Sequence, residues 1–306
     1  MSKRLAQVLI PEYLRRQNLW TTTKARQFWP RRTNRCDVIR PYDIRALRRI
    51  KPIWFLPANT GRQSLTARRF VSVFGGKGRG CQYFLRKRKW AAALVDVSDS
   101  GCNDLTAARA QKECQKLLSQ CNGAGFDVCC RSLTLARRAP PGSSWPNRVR
   151  SKQCLWGLPG LKPADAKMVN NANALVKWTA SCVRRLAIAG IPGYVENPTA
   201  SYLWNLLQAL LEDLFAAGLV HYKSTHFCMY GTTHKKPTKL LVWGPRAATV
   251  RLRRCHHRGP CKRTGQKHIP LSSQERPLTN DEGAFKTREA QVHPMAFVEH
   301  LFGQLF

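Results

Sequence analysis

The sequence predicts an α/β fold: a mostly parallel sheet covered by helices on both faces, with a basic N-terminal arm and a Cys/His-containing C-terminal segment. Three observations predict it. Short apolar runs alternate with segments of helical periodicity from about residue 66 to 306. Glycines and other turn residues close the runs. Gly76, Asp96, Cys130 and Glu196 each fall where an apolar run stops, and the carboxyl ends of parallel strands are where such sheets bind ligands.

Residues 1–65 mix Arg, Pro, Trp and Thr without periodicity, which predicts a poorly ordered basic arm with a short helix near Tyr13 to Trp20. Residues 66–306 form the predicted domain. Phe70 to Phe74 reads as its first strand, ended by the glycines at 75, 76, 78 and 80. A helix is expected over YFLRKRKW (83–90), then a second strand in AAALVDV (91–97) ending in Asp96. Residues 104–125 predict a helix, with Asp104 near its start and Gly123 near its end. FDVCC (126–130) reads as a third strand. The Pro- and Arg-rich stretch 131–151 reads as a loop of the length that usually carries function. A long helix is expected at 164–190 and a fourth strand at PGYVEN (192–197). One amphipathic helix is expected at 199–218, where Trp204, Leu207, Leu211, Leu214 and Phe215 recur at helical spacing. HYKSTHFCMYG (221–231) and TKLLVWG (238–244) read as strands, and PMAFVEHLFGQL (294–305) as a short amphipathic helix.

Fifty-two Lys and Arg stand against 17 Asp and Glu, a formal net charge of +35. Self-repulsion of that size calls for a polyanionic partner, and nucleic acid is the expected one; a compositional bias toward arginine is the alternative source. No apolar run is long and uncharged enough to span a bilayer, so no membrane partner is expected. Twelve cysteines without a secretory signal point to reduced thiols or a metal site rather than a disulfide framework. The arginine-rich, acid-poor arm reads as a nucleic-acid-binding extension or as an organelle-targeting segment. The first of these places the protein in the nucleus. The sequence carries no signal of an oligomeric state.

FGGKGRG (74–80) followed by a strand-end acid, Asp96, follows the logic of a nucleotide-cofactor site. Glycines let the backbone approach the ligand and a carboxylate holds ribose hydroxyls. The loose glycine pattern favours S-adenosylmethionine over a dinucleotide; a plain turn and a solvated Asp are the alternative. Cys130 ends the third strand beside hydroxyls and arginines, a setting for a nucleophilic thiol or for a small core residue. Glu196 stands where the fourth strand meets a helix. A carboxylate there can serve a substrate base, with Asn197 and Pro198 fixing the turn, or it can complement the exposed amides of a helix N-terminus. CHHRGPCKRTGQKH (255–268) places Cys255, His256, His257, Cys261 and His268 together, with Cys228 as a further candidate. Zinc takes four such ligands; a basic loop gripping phosphate is the other reading. The densest basic runs, LRKRKW (85–90) and 250–263 with Arg253 and Arg254, would hold phosphates.

In this order, a glycine turn, strand-end acid, strand-end Cys and strand-end Glu-Asn resemble a divergent Rossmann domain of the cytosine-C5 DNA methyltransferase type. The chain is more closely similar to the methyltransferase-like proteins of dinoflagellate genomes and mobile elements. The residues that carry this resemblance are Phe74-Gly75-Gly76-Lys77-Gly78, Cys130 with Thr134-Leu135-Ala136-Arg137, Gly157-Leu158-Pro159, Ala172-Asn173, Glu196-Asn197-Pro198 with Ser201 and Trp204, Cys228-Met229-Tyr230-Gly231 with Lys235-Lys236-Pro237-Thr238, and Cys255, Cys261 and His268. It spans about 70 to 303. The resemblance implies that Gly76, Gly78 and Asp96, with Phe74 and Asp104 beside them, hold S-adenosylmethionine. It implies that Cys130 adds to C6 of a DNA cytosine while Glu196, next to Asn197, engages N3. Arg137, Arg138, Arg148 and Arg150 would hold the backbone around the unstacked base. It implies a metal set of Cys228, Cys255, Cys261 and His268, with zinc as the ion. The chain departs from the pattern at Cys129, which replaces the proline before the nucleophile, and at Ser72, Arg79 and Ala172. These departures leave a second reading, a non-catalytic nucleic-acid-binding module of mobile-element origin.

Overall fold

The computed structural model describes residues 38–39, 54–55, 68–76, 79–97, 104–135, 148–256, 259–269 and 292–306. Among them one sheet of eight strands runs through the molecule. Its strands are β1 (Val38–Ile39), β2 (Trp54–Phe55), β3 (Arg69–Val73), β4 (Ala91–Val95), β5 (Gly123–Asp127), β6 (Gly193–Pro198), β7 (Val220–His226) and β8 (Pro237–Trp243). Their spatial order is β1-β2-β4-β3-β5-β6-β8-β7. β3 pairs in parallel with β4 and β5, and β5 with β6. β8 runs antiparallel between β6 and β7. The helices are α1 (Arg79–Tyr83), α2 (Ala108–Leu118), α3 (Pro163–Ile188), α4 (Leu203–Leu210), α5 (Glu212–Ala216) and α6 (Met295–Leu305), with a π-helical turn at Phe84–Arg88 after α1.

Strand alternation sorts the core into two layers. Val71 and Val73 of β3, Phe126 of β5, Val195 of β6 and Leu241 and Trp243 of β8 meet α2, α3, α4 and α5 on one face. Phe70, Tyr194, Leu240 and Val242 point the other way, to α1, the π-turn and α6. On that second face Phe70, Phe84 and Phe302 pack ring on ring, with centroids 4.1–5.5 Å apart. Burial on both faces is why β4 reads as the continuous apolar run AAALV. α2 buries the stripe Ala110, Cys114, Leu117 and Leu118, and α6 buries Phe297, Val298, Leu301, Phe302 and Leu305.

The mixed α/β architecture follows the expectation, with local differences; the strand expected at 221–231 ends at His226, and Phe227–Tyr230 form a 3₁₀ helix. Residues 104–125 are not one helix: α2 ends at Leu118, and Gly123 and Gly125 belong to β5. Glycine is required there because a Cβ on Gly123 would stand 2.3 Å from the Phe306 ring, and one on Gly125 would stand 2.5 Å from the Tyr194 ring. Val128 to Cys130 lie beyond β5. The helix expected at 199–218 breaks into α4 and α5 at Leu211, whose φ of −125° and ψ of 22° leave the helical region. Two dipeptides of the expected arm, 38–39 and 54–55, are strands of the sheet; the rest of 1–65, including the expected Tyr13–Trp20 helix, lies outside the described residues. Among the described residues no helix is long and apolar enough to cross a membrane.

Candidate functional site

From β3 the chain passes to β4 on one side, then through α2 to β5 on the other. The connections therefore diverge at the carboxyl ends of β3 and β5, the switch point where open α/β sheets leave a crevice. Phe74 leaves β3 with φ 59°, a left-handed conformation uncommon for a side chain of its size. Its N–H donates to Val95 O at 2.8 Å. Its ring stands edge-on to Trp178 of α3, so it supports the turn from the core side. Gly76 follows with φ 52°, and no heavy atom of the described residues lies within 4 Å of where its Cβ would stand. Space beside bare backbone is what a ligand needs here. The Gly76 N–H donates to Asp96 Oδ2 at 2.9 Å, so the glycine turn and the acid of the next strand already meet. Gly78 lies outside the described residues. Asp104 is exposed and closes the turn before α2 by accepting from the Thr106 N–H and Oγ1 at 3.0 and 2.8 Å.

Across the crevice, Asp127 of β5 and Glu196 of β6 stand in register. Glu196 lies inside β6, and α4 begins only at Leu203. The helix-terminus explanation for this carboxylate therefore falls. Lys236 Nζ is 3.3 Å from Glu196 Oε1. His293 Nε2 lies 3.7 Å from Glu196 Oε2 and 3.8 Å from Asp127 Oδ1. Phe227 packs against the cluster, with Lys236 Nζ 4.6 Å over its ring and the His293 ring edge-on. Burial pushes Asp127 up to about 7, with Glu196 adding to the rise and His293 opposing it. Burial would also raise Glu196, but Lys236 and His293 outweigh it and hold the carboxyl down at about 2. For His293 burial disfavours the charge, and the two carboxylates more than restore it, so its value is raised. Glu196 is thus a permanent acceptor, and the mobile proton belongs to His293 and Asp127.

Cys130 sits half-buried just past β5, and burial, then Cys129 and Glu196, push its thiol up to about 11. Asn197 alternates to the opposite face from Glu196, where its Nδ2 donates to Val128 O. It therefore positions the segment leading to Cys130 rather than reaching a ligand beside Glu196. The residues after Cys130 pair with those after Pro198: Leu135 N–H donates to Ala200 O at 3.0 Å and Tyr202 N–H to Leu133 O at 2.8 Å. The Cys loop and the Glu-Asn-Pro turn are therefore one unit.

Arg150 corrects an expectation. It is 1% exposed, and its guanidinium donates to Ser132 O and Oγ, Leu155 O, Val169 O and Asn173 Oδ1 at 2.5–3.3 Å. An arginine spent on five internal acceptors does not reach a phosphate. It organises the Cys loop instead, and burial lowers its value to about 10. Arg148 is exposed beside it, donating to Arg150 O. Arg137 and Arg138 lie outside the described residues, whereas Arg253 and Arg254 are exposed.

Cys228, Cys255, Cys261 and His268 offer ligand atoms that all lie within 4.8 Å of one another. A tetrahedral zinc ion with bonds of about 2.3 Å to sulfur and 2.0–2.1 Å to nitrogen sets those ligands about 3.6 Å apart; Cys255 Sγ and His268 Nε2 are 3.6 Å apart. His256 is exposed and outside the group, and His257 lies outside the described residues. Burial opposes ionisation of Cys261, but the backbone N–H groups of Arg263 and Thr264 and a hydrogen bond from His268 bring it down to about 6. Lys262 N–H donates to Cys255 Sγ at 3.3 Å. Donors turned toward sulfur stabilise thiolate, the form that binds metal. Burial and the two neighbouring thiols push Cys228 up to about 12, a value that a bound cation reverses.

These features define a mixed α/β, Rossmann-like protein with a buried charged cluster at the ends of its parallel strands and a Cys/His group able to hold a metal. No protein-family model and no curated protein matches the sequence. Among solved structures the chain is similar to the Entamoeba histolytica methyltransferase EhMeth, at 11% identity and a TM-score of 0.33. The match covers 61% of this chain and 57% of that one. The chain therefore spans little more than half of that protein, and the reading of the site rests on the geometry above.

Asp127 and His293 escaped the sequence reading, and Lys236 entered it only within the Lys235-Lys236-Pro237-Thr238 segment, with no role at the site. Asp127 ends the β5 run in FDVCC, a signal of the same kind as Asp96. His293 carries no local signal, and both it and Lys236 reach Glu196 only through the fold. Asp127 supplies a direct check. A raised carboxylate value means that the folded chain binds the proton more tightly than the unfolded one. The resulting penalty is absent below about pH 4, grows as pH rises toward about 7, and is complete above it. Asp127→Asn, still facing His293, Glu196, Lys236 and Asp96, is expected to gain on the order of 2 kcal/mol at pH 8 and nothing at pH 4. Urea unfolding at the two pH values measures this, and an equal effect at both would contradict the assignment.

Proposed function

We propose that this chain is an S-adenosylmethionine-dependent, methyltransferase-like protein acting on nucleic acid, with C5 of DNA cytosine as its target and the nucleus as its compartment. One observation supports the reading: β4, β3, β5 and β6 are consecutive neighbours in the sheet, the Gly76 turn is joined to Asp96, Cys130 follows β5, and Asp96 and Glu196 both act on Asp127 between them. Gly76 offers bare backbone and Asp96 a carboxylate, which suits the cofactor's ribose and amino-acid portions. When bound, the cofactor supplies the electrophilic methyl group.

The chain's own groups then have defined tasks. Cys130 Sγ attacks C6 of a base lifted from the stack. With its value near 11, the thiol holds its proton at neutral pH and must pass it to solvent as the S–C6 bond forms and the C5=C6 π bond opens. After methyl transfer, loss of the C5 proton to solvent expels the thiolate. Glu196, ionised and locked by Lys236, accepts a hydrogen bond from N4–H of the base, and from N3–H once N3 is protonated. A proton needed at N3 travels from the His293 imidazolium, 3.7 Å behind Glu196. Asn197 and Arg150 hold the two loops in place. Cys228, Cys255, Cys261 and His268 hold zinc as a structural ion, since four protein ligands leave no open position.

Transfer of labelled methyl groups from S-adenosylmethionine to cytosine-containing DNA tests this. Cys130→Ser should keep cofactor binding and lose at least about 10³-fold in rate, because a hydroxyl cannot replace the thiol nucleophile. Cofactor binding without transfer in the unaltered protein would favour the non-catalytic nucleic-acid-binding reading. The high Cys130 value and Cys129 in place of proline already lean toward that second reading.

A further inference from the structure

Between Asp213 and Glu275 the sequence contains no acidic residue, while lysine and arginine recur throughout. Several of them are exposed along one segment, and Arg251 and Arg254 line one cavity with Lys223. After β8 the chain runs in extended form through Arg251, Arg253 and Arg254, then turns through Lys262 and Lys267; all five are exposed. This segment is pinned from beneath. Thr225 Oγ1 donates to Arg253 O at 2.7 Å, the Arg253 N–H donates to Tyr230 Oη at 2.9 Å, and the Arg251 N–H donates to Gln304 Oε1 at 2.8 Å. Beyond Arg254 hydrogen bonds still tie the segment down: the Cys255 N–H donates to His226 Nδ1 at 3.0 Å, Arg263 Nε to Cys228 O at 2.7 Å and the Ile269 N–H to Thr233 O at 3.1 Å. From 253 to 269 the buried residues among those described are Cys255 and Cys261, and the core they join is the thiol cluster with Cys228. With almost no apolar core, the interior of this loop would be fastened by the metal its Cys/His group can take.

We infer that a divalent metal at Cys228, Cys255, Cys261 and His268 orders a cationic face, formed by Arg251, Arg253, Arg254, Lys262 and Lys267, that holds the phosphate backbone of nucleic acid. Metal and nucleic acid therefore bind cooperatively. The inference rests on the metal reading above but not on methyl transfer. Charge favours it in both states. A divalent ion with three thiolates and a neutral imidazole carries a net charge of −1, which leaves the face strongly positive. The composition of the face favours phosphate chains over a lipid surface, because Ile269 is its one exposed large apolar residue among those described. Exposed guanidinium and ammonium groups along one segment, Arg253 among them with its guanidinium 5.8 Å over the Tyr230 ring, match a linear array of phosphates.

Fluorescence anisotropy with labelled duplex and single-stranded DNA, read across a salt series, tests the inference. Arg253→Gln/Arg254→Gln and Lys262→Gln/Lys267→Gln should each weaken binding about tenfold and reduce the salt slope by about 2, with metal content unchanged. Removing the metal with a chelator should weaken binding at least as much, and restoring zinc should reverse the loss. The chelation arm needs no cysteine variant that might fail to fold. DNA affinity unchanged by either double variant, or equal in metal-free and metal-loaded protein, would overturn the inference. So would tighter binding to phosphatidylserine vesicles than to DNA. S-adenosylmethionine titration of the same samples separates this from the catalytic reading: cofactor binding absent with DNA binding intact sinks only the latter.

Discussion

Glu196→Ala is expected to lower the unfolding free energy at pH 7 by about 3–5 kcal/mol, because it leaves the buried Lys236 ammonium and His293 imidazolium without their carboxylate. Lys236 and Glu196 side chains are only 12% and 8% exposed, so solvent cannot take over the pairing. Removing both charges tells a different story. A Glu196→Leu/Lys236→Met double variant should recover most of the lost stability while remaining unable to support methyl transfer. The pH dependence has a definite sign. Glu196 is held near 2, below its unfolded value, so its contribution is complete above about pH 4.5 and disappears as pH falls toward 2. Denaturant unfolding at pH 7 and pH 3 reads both effects. A loss of less than about 1 kcal/mol at pH 7 would mean that the cluster is solvated and cannot hold Glu196 ionised.

Metal removal should produce the second large effect, and a local one. The 253–269 segment depends on three thiols and a histidine for its interior, whereas the sheet and its two helical layers have ample apolar cores. Chelation should therefore open 253–269 while β3 to β8 stay folded. Amide exchange within that segment should accelerate at least 100-fold, corresponding to about 3 kcal/mol of local stability or more. Phe227 and Lys236 couple the metal group to the crevice, since Cys228 follows Phe227 and Lys236 packs on its ring. Exchange around Glu196 should thus rise modestly too. Exchange in 253–269 insensitive to chelation, with no metal in the purified protein, would contradict the assignment.

The sequence revealed the parts of this molecule that local chemistry dictates. β3, β4 and β8 are apolar runs with sharp ends; Asp96 directly follows β4 as expected, whereas Gly76 and Cys130 lie three residues past β3 and β5 and Glu196 lies inside β6. The metal group was suggested by its residue types rather than by its spacing; the structure joins Cys228 to the cluster across 27 residues of sequence. Long-range packing hid the rest. Gly123 and Gly125 look like helix terminators until Phe306 and Tyr194 claim their Cβ positions. Nothing in TKLLVWG reveals that β8 runs backwards between β6 and β7, which is what brings Lys236 to Glu196. Arg150 resembles its basic neighbours, and only its five internal acceptors show that it is a structural residue. His293 reaches the site through α6, nearly a hundred residues after the carboxylate it serves.

The central claim is that the crevice between the Gly76 turn and Glu196 is a methyl-donor site. Calorimetric titration of S-adenosylmethionine into the metal-loaded protein, with Asp96→Ala as its partner, tests it most directly. Saturable binding at one site that Asp96→Ala abolishes is the predicted result. Absence of binding to folded protein, or binding that survives Asp96→Ala, would contradict it and leave the basic, metal-fastened face as the functional surface.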